Sequence, residues 1–587
     1  MKKLFIPAIL AILAIGCQKA QQKSTFEWET KFEKTQGTET VTYEEGIQYL
    51  ETLALYHPEL KLQTIGKTDS GEPLHLALLS ADQTFDFDQI QNKSILLINN
   101  AIHPGEPDGV DASLMLLRDI LQDKERLASL EDVVIAVIPF YNIGGAKNRN
   151  SHSRANQVGP KSYGFRGNAQ NLDLNRDFIK ADSENMKSFT QIFHSLNPDL
   201  FIDTHVSNGA DYQYVMTYLS TQEDKLGGKL GDYMRNQLTP SMEKKMSAKG
   251  FDMTPYVNVW GTVPDSGYVQ FIDTPRYSSG YTTLFNTLSY VTETHMLKPF
   301  KTRTEATYAF LDEAIDYLKN NGKEVKALRK ETEEAVKMQK TFPIAWKANK
   351  LEFEVRKFKG YEGGYKISDV SRLPRLYYDR NKPFEKDIKF YNQYVADKSV
   401  QKPFAYIIPA GHQKVVDLLK LNNIKVTQIH DSKTVNASVY YIADYKTTSA
   451  PYEGHYLHYN VEVNSKPQEV TINAGDYIVE VNQSANRYIV ETLEPHATDS
   501  FFAWNFFDAI LQQKEHFSPY VFEDHAAKYL EEHPEIREAL EAKKKEDKEF
   551  ADNAYAQLVF IYKQTPHYEK AHLRYPIMRL EQAPDFL

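Results

Sequence analysis

The sequence predicts an α/β protein: a mixed central sheet flanked by helices, then an accessory α/β-plus-β domain and a helical tail. Three observations predict it. Apolar runs of strand length recur at Ser94 to Ile98, Val133 to Pro139, Leu200 to Thr204 and Leu288 to Thr292, and the first two read as buried strands. Segments with apolar residues at helical spacing alternate with them, as at Val110 to Leu121 and Asp182 to Leu196. A chain of 587 residues is also too long for one core, so two or three domains are expected.

In chain order, Lys2 and Lys3 precede an apolar run, Leu4 to Ile15, that is too short to span a bilayer. Ala14-Ile15-Gly16-Cys17 follows and resembles a bacterial lipobox. Residues 1–25 are therefore expected to be a lipoprotein signal and polar tether, with Cys17 acylated and the protein exported and anchored to the cell-envelope membrane by lipid. Cys17 is the only cysteine, which excludes intrachain disulfides, a cysteine metal site and a cysteine nucleophile. Tyr43 to Tyr56 reads as a helix ended by His57-Pro58. Leu60 to Thr68 and Pro73 to Ser80 read as strands around the turn Asp69-Ser70-Gly71-Glu72. The strands and helices named above follow, and a helix from Thr304 to Lys319, expected to stop at Gly322, closes a unit spanning 26–321. The charged stretch 322–340 reads as a helical connector. Within 341–515, Phe404 to Pro409, a helix through His412 to Leu421, and Ile424 to Ile429 form a β-α-β pattern. Val439 to Leu493 reads as short strands with turns at Asn464-Ser465-Lys466-Pro467 and Ala474-Gly475-Asp476. Residues 516–587 read as a helical tail whose alternating charges, Glu538 to Lys548, suit a solvated face.

A formal net charge of -10 argues against a nucleic-acid partner. The chemistry lies at the strand ends. His103 and Glu106 follow the strand from Ser94, and Pro104, Gly105 and Pro107 keep them on a tight loop before the next helix. His205 ends the strand from Leu200, so all three fall at the carboxyl edge of the sheet, where ligands bind in α/β folds. Two imidazoles and a carboxylate leave Zn²⁺ a fourth position, the pattern of a catalytic rather than a structural site. With 17 His in the chain, a Glu three residues after a His is expected about once by chance, so the order of further motifs must carry the inference.

Those motifs are Tyr141-Asn142-Ile143-Gly144-Gly145, Asp173-Leu174-Asn175-Arg176, Ile202-Asp203-Thr204-His205 and Tyr290-Val291-Thr292-Glu293-Thr294-His295. With His103 and Glu106 they stand in the order of the signature of zinc metallocarboxypeptidases of the carboxypeptidase A type, which residues 40–320 resemble. The resemblance implies one Zn²⁺ per chain on His103, Glu106 and His205, a peptide substrate, and Glu293 as general base projecting toward the metal. It implies that Asn175 and Arg176 hold the substrate's terminal carboxylate, a task suited to the planar fork of arginine. Asp177 stands where the family often has a second Asn. For the arginine that stabilises the oxyanion the resemblance offers Arg154 first, then Arg149, with Arg166 also in range; for the tyrosine that closes over substrate it offers Tyr277, then Tyr281. Competing readings are a zinc amidase or peptidase acting on cell-wall stem peptides, with Arg276 or Arg166 on an unusual carboxylate, and an inactive solute-binding lipoprotein.

Overall fold

The computed structural model describes residues 28–585, so the expected signal, tether and Cys17 lie outside the described residues. Among the described residues no helix is long and apolar enough to cross a membrane.

Eight strands build the principal sheet: β1 (Leu60–Lys67), β2 (Pro73–Ser80), β3 (Ser94–Asn99), β4 (Val133–Ile138), β5 (Leu200–Ser207), β6 (Met216–Ser220), β7 (Met253–Pro255) and, after the two-residue β8 (Tyr268–Val269) that lies outside it, β9 (Leu288–His295). Their order is β1-β2-β4-β3-β5-β9-β6-β7. The central four, β4, β3, β5 and β9, run parallel, and β2 and β6 join them antiparallel, so the sheet is mixed as expected. Every residue of β3, β4 and β5 is buried, which suits the apolar runs Ile95 to Ile98, Val133 to Ile138 and Leu200 to Ile202, after which β5 turns polar at Asp203, Thr204 and His205. Successive side chains serve opposite faces. Leu96, Ile98 and Ile135 pack with helices Tyr43–Tyr56, Asp108–Gln122 and Phe300–Met338, whereas Leu97, Val134 and Ala136 pack with helix Glu184–Leu196. Thr42 opens the first of these helices with a capping box, and Ser183 caps the last by accepting from the Met186 N–H.

A buried ion pair locks the longest described helix to the first residue of the helix that follows His103 and Glu106. Arg303 Nε donates to Asp108 Oδ2 at 2.9 Å, and the guanidinium also donates to the carbonyls of Val158 and Lys298. Arg303 and Asp108 are both buried. Asp108→Ala strands that cation, and removing one partner of a buried pair costs ~3–5 kcal/mol. Its urea midpoint is expected to fall accordingly; an unchanged midpoint would mean that the carbonyls alone satisfy Arg303.

The helix expected to stop at Gly322 instead runs unbroken from Phe300 to Met338, so 322–340 is not a separate connector. Gly322 is there for close approach: a Cβ at this position would lie 2.0 Å from Ser94 Oγ at the start of β3. Beyond the helix, β10 (Thr341–Ala348) pairs with a later strand, and β11 (Glu354–Ile367) and β12 (Pro374–Tyr391) form a long hairpin; the partner of β10 is β13 (Tyr394–Gln401). β12 pairs in parallel with β8, tying this hairpin to the amino-terminal unit. A six-stranded sheet follows: β14 (Ala405–Ile408), β15 (Thr427–Gln428), β16 (Lys433–Thr447), β17 (His458–Ile472), β18 (Tyr477–Glu480) and β19 (Met578–Leu580), in the order β15-β18-β14-β19-β16-β17.

The β-α-β pattern is present, with helix Gln413–Leu421 after β14, but its second strand is only β15. Within 439–493, β16 and β17 are long rather than short, β18 is short as expected, and Asn486–Leu493 is a helix rather than a strand. Asn464 to Pro467 is not a turn: it lies inside β17, the edge strand, where a proline without an N–H is tolerated. The tail is helical at Pro519–Glu532, Pro534–Glu546 and Ala554–Tyr562 around its own core of Phe522, Leu540 and Leu558, then returns as β19 between β14 and β16. The helical reading of 516–587 therefore fails at its end, because Met578 and Leu580 fill the core beneath the second sheet.

Candidate active site

The loop after β3 delivers His103 and Glu106 to the carboxyl edge. It is held from behind by Asn142, whose amide donates to the carbonyls of Ile102 (3.2 Å) and Arg166 (3.0 Å) while its oxygen accepts from the Gly145 N–H. Gly109, in the first turn of the following helix, lets that helix sit against β5: a Cβ there would lie 2.0 Å from Thr204 Oγ1. His205 belongs to β5 and pairs in register with Glu293 on the adjacent parallel strand β9.

His103 Nδ1, His205 Nδ1 and the Glu106 carboxylate converge. The two nitrogens are 3.1 Å apart, His205 Nδ1 is 3.1 Å from Glu106 Oε2, and His103 Nδ1 is 3.3 Å from Glu106 Oε1. Ligands at ~2.0–2.1 Å from a tetrahedral zinc are separated by ~3.3 Å, so the donor set fits that ion. The outer nitrogen of each imidazole is tied to a carboxylate. His103 Nε2 donates to Asp173 Oδ1 at 2.9 Å and His205 Nε2 to Asp203 Oδ2 at 3.1 Å, which turns both Nδ1 lone pairs to the common point. The Val206 N–H, at 2.9 Å, fixes Glu106 Oε2.

These groups open into a cavity of about 320 Å³ whose walls also hold Glu293, Arg154, Arg166, Asn175, Arg176 and Tyr277. The three expected metal ligands, Glu293, Asn175, Arg176 and the first choices Arg154 and Tyr277 thus meet in one place, with Arg166 beside them. Arg154 Nη1 lies 2.8 Å from Glu106 Oε1, and its Nε donates to Gln157. Arg166 pairs with Asp173 Oδ2 through Nε and Nη2, and its Nη1 lies 3.4 Å from His103 Nδ1 and 3.7 Å from Glu106 Oε1. Arg149 is turned away, donating to the carbonyls of Val41 and Ser162. Tyr281 is fully buried and bonds Asn422, so it is a core residue and not a lid. Arg276 pairs with Asp499, and the Asp177 carboxylate accepts from Lys180 and Ser183. The Arg176 guanidinium lies 4.4 Å from the centre of the Tyr277 ring, which meets Phe271 edge-on. Asn175 Oδ1 is buried with no hydrogen-bond partner among the described residues.

The electrostatics follow from burial and neighbours. Burial would raise Glu106, but the Arg154 cation and the two histidines hold it well below the usual carboxylate range. Burial would lower His205, yet Asp203 and Glu106 hold it well above its ordinary value. Glu293 is pushed up to about 8 by burial, with the Glu106 and Asp273 carboxylates adding to the effect and His205 opposing it. Asp273, buried in the cavity wall, is raised to about 6 by the same desolvation. Sequence reading missed Asp203 as the partner of His205, although it stands two residues away on the same face of β5, and it missed Asp273, for which no local motif speaks.

Fold and site together define a class: an α/β protein with an open His-Glu-His centre at the carboxyl edge of a mixed sheet. No family model matches the chain. It is similar to carboxypeptidase 2 of Trichophyton rubrum, 21% identical over 457 residues, which cover 74% of this chain and 78% of that protein. Carboxypeptidase 2 of Trichophyton equinum matches with the same identity and coverage. Among solved structures, a metallo-carboxypeptidase from Burkholderia cenocepacia matches with a TM-score of 0.37 and 17% identity over 48% of this chain and 70% of that one. A metallo-carboxypeptidase from Pseudomonas aeruginosa, in complex with (2-guanidinoethylmercapto)succinic acid, matches with a TM-score of 0.36 and 16% identity over 47% of this chain and 70% of that one.

Proposed function

We propose that the chain is an exported zinc carboxypeptidase that removes the C-terminal residue of peptides. The observation that carries this reading is the convergence of His103, Glu106 and His205 in a cavity that also holds Glu293 and Arg176. Zn²⁺ held by those three residues would supply a Lewis acid that polarises the scissile carbonyl and makes a water molecule more acidic. Arg176, with Asn175 beside it, holds the terminal carboxylate and so fixes which peptide bond faces Glu293. Glu293 takes the proton of the attacking water and returns it to the leaving amine. Arg154 is committed to Glu106 at 2.8 Å, whereas Nη1 of the more exposed Arg166 faces the same point from farther off. The geometry therefore favours Arg166 as the oxyanion donor and gives Arg154 the task of steadying Glu106. The names of the relatives support a carboxypeptidase, and Lys2, Lys3 and the Leu4 to Cys17 stretch support export and a lipid anchor.

The purified protein is expected to bind one equivalent of Zn²⁺ and to release single C-terminal residues from free-acid peptides. His205→Ala is expected to lose the metal. Full zinc retention in that variant, or no release from any peptide in a panel that includes D-residue termini, would sink the proposal; release from D-residue termini alone would redirect it to cell-wall stem peptides.

A further inference from the structure

The connection between β16 and β17 reaches across the molecule to the back of the active site. Tyr452 and His455 exchange both backbone hydrogen bonds, at 2.7 and 3.1 Å, closing a two-residue turn. Its central residues, Glu453 and Gly454, have φ of 49° and 79°. Positive φ at both positions is the type I′ geometry, and at Glu453 it is costly for a residue with a side chain. That conformation presents two side chains to the residues of the site. Glu453 Oε2 accepts the N–H of Asp173 at 2.7 Å, and Tyr452 Oη accepts Arg176 Nε at 2.9 Å. Asp173 orients the His103 ring, and Arg176 is the carboxylate clamp.

We propose that the turn Tyr452–His455 is a positioning element of the active site, by which the accessory region sets the attitude of Arg176 and, through Asp173, of His103. This inference rests on the carboxypeptidase reading. Arg176 Nε is taken by Tyr452, and one Nη1 hydrogen by the Asn175 carbonyl at 2.8 Å. Among the described residues Nη2 has no hydrogen-bond partner. An arginine can meet a carboxylate side-on through Nε and Nη2, or end-on through Nη1 and Nη2. Tyr452 closes the side-on edge, so the substrate carboxylate is taken end-on, with the guanidinium plane held on the Tyr277 ring.

The turn is itself gripped. His455 Nε2 donates to Asp182 at 2.7 Å, the Tyr452 ring stacks on Trp504, and Arg276 lies against both rings while bonding Asp499. Arg276 is the neighbour of Tyr277, so the accessory region holds the clamp from both sides.

The test is Tyr452→Phe in the full-length chain, which removes one hydroxyl and keeps the ring stack. KM for a free-acid peptide is expected to rise about tenfold with kcat within about twofold, because a bond to a charged group that acts only in recognition is lost. Zinc content and Tm should not move. An unchanged KM would overturn the proposal, as would a parallel fall in kcat, zinc content and Tm, which is the mark of a merely structural role. Glu453→Ala gives a second readout: zinc affinity should fall about tenfold as Asp173 loosens, and Glu453→Gln, which can still accept the Asp173 N–H, should recover it. Unaltered zinc affinity in Glu453→Ala would remove Glu453 from the proposal. A wild-type protein inactive on every peptide would refute the carboxypeptidase reading instead, while the zinc measurements would still test the turn.

Discussion

Glu293→Gln is expected to keep its metal and lose ~10²–10⁴-fold in turnover. The amide fills the same space and can still hydrogen-bond to water, but it cannot take the proton. Glu293 is not one of the three converging donors, so the substitution leaves the ligand set itself untouched. The pH profile adds a second check. Burial raises Glu293 to about 8, and a cation held at the neighbouring centre would favour the charged form and draw the value down. The working form is the carboxylate, so kcat/KM is expected to rise with pH through a limb at or below about pH 8. That limb should vanish from the residual rate of the Gln protein. Near-normal turnover in a zinc-loaded Glu293→Gln protein, or an acid limb that survives the substitution, would assign the proton transfer to another group.

The convergence of His103, Glu106 and His205 was legible because they sit beside strands whose apolar runs give both their register and their direction. A helix boundary such as Tyr43–Tyr56 was equally plain, since Thr42, Glu45 and His57-Pro58 punctuate it locally. What escaped was non-local. Nothing near Arg176 announces Tyr452, which is 276 residues away, and nothing near Asp173 announces Glu453. The long strands β11, β12 and β17 escaped for a different reason. Most of their residues are exposed or half-buried, so they lack the alternation that marks a strand with one covered face. Gly322 misled because the same residue serves as a helix stop and as a site of close packing, and only the position of Ser94 distinguishes the two.

Asp177 is the instructive case for specificity. An acid facing the substrate beside the clamp would favour cationic or modified termini. The structure turns its carboxylate onto Lys180 at 2.8 Å, and it does not line the cavity. Arg176 therefore has no neutralising neighbour from that side; its closest carboxylate, Asp173 Oδ2, stands 3.9 Å from Nη1 and is already bonded to Arg166. On the proposed reading a free C-terminal carboxylate completes this arrangement, and an amidated terminus leaves the Nη2 edge of a largely buried guanidinium without its anion, which costs ~3–5 kcal/mol. Catalytic efficiency on an amidated peptide is thus expected to be at least ~10²-fold below that on the free acid. Arg176→Met should narrow the gap by lowering the free-acid rate alone. Comparable rates on the two substrates with the wild-type protein would refute exopeptidase action while leaving the metal centre intact, and an Arg176→Met protein that still discriminates would move the carboxylate to Arg166.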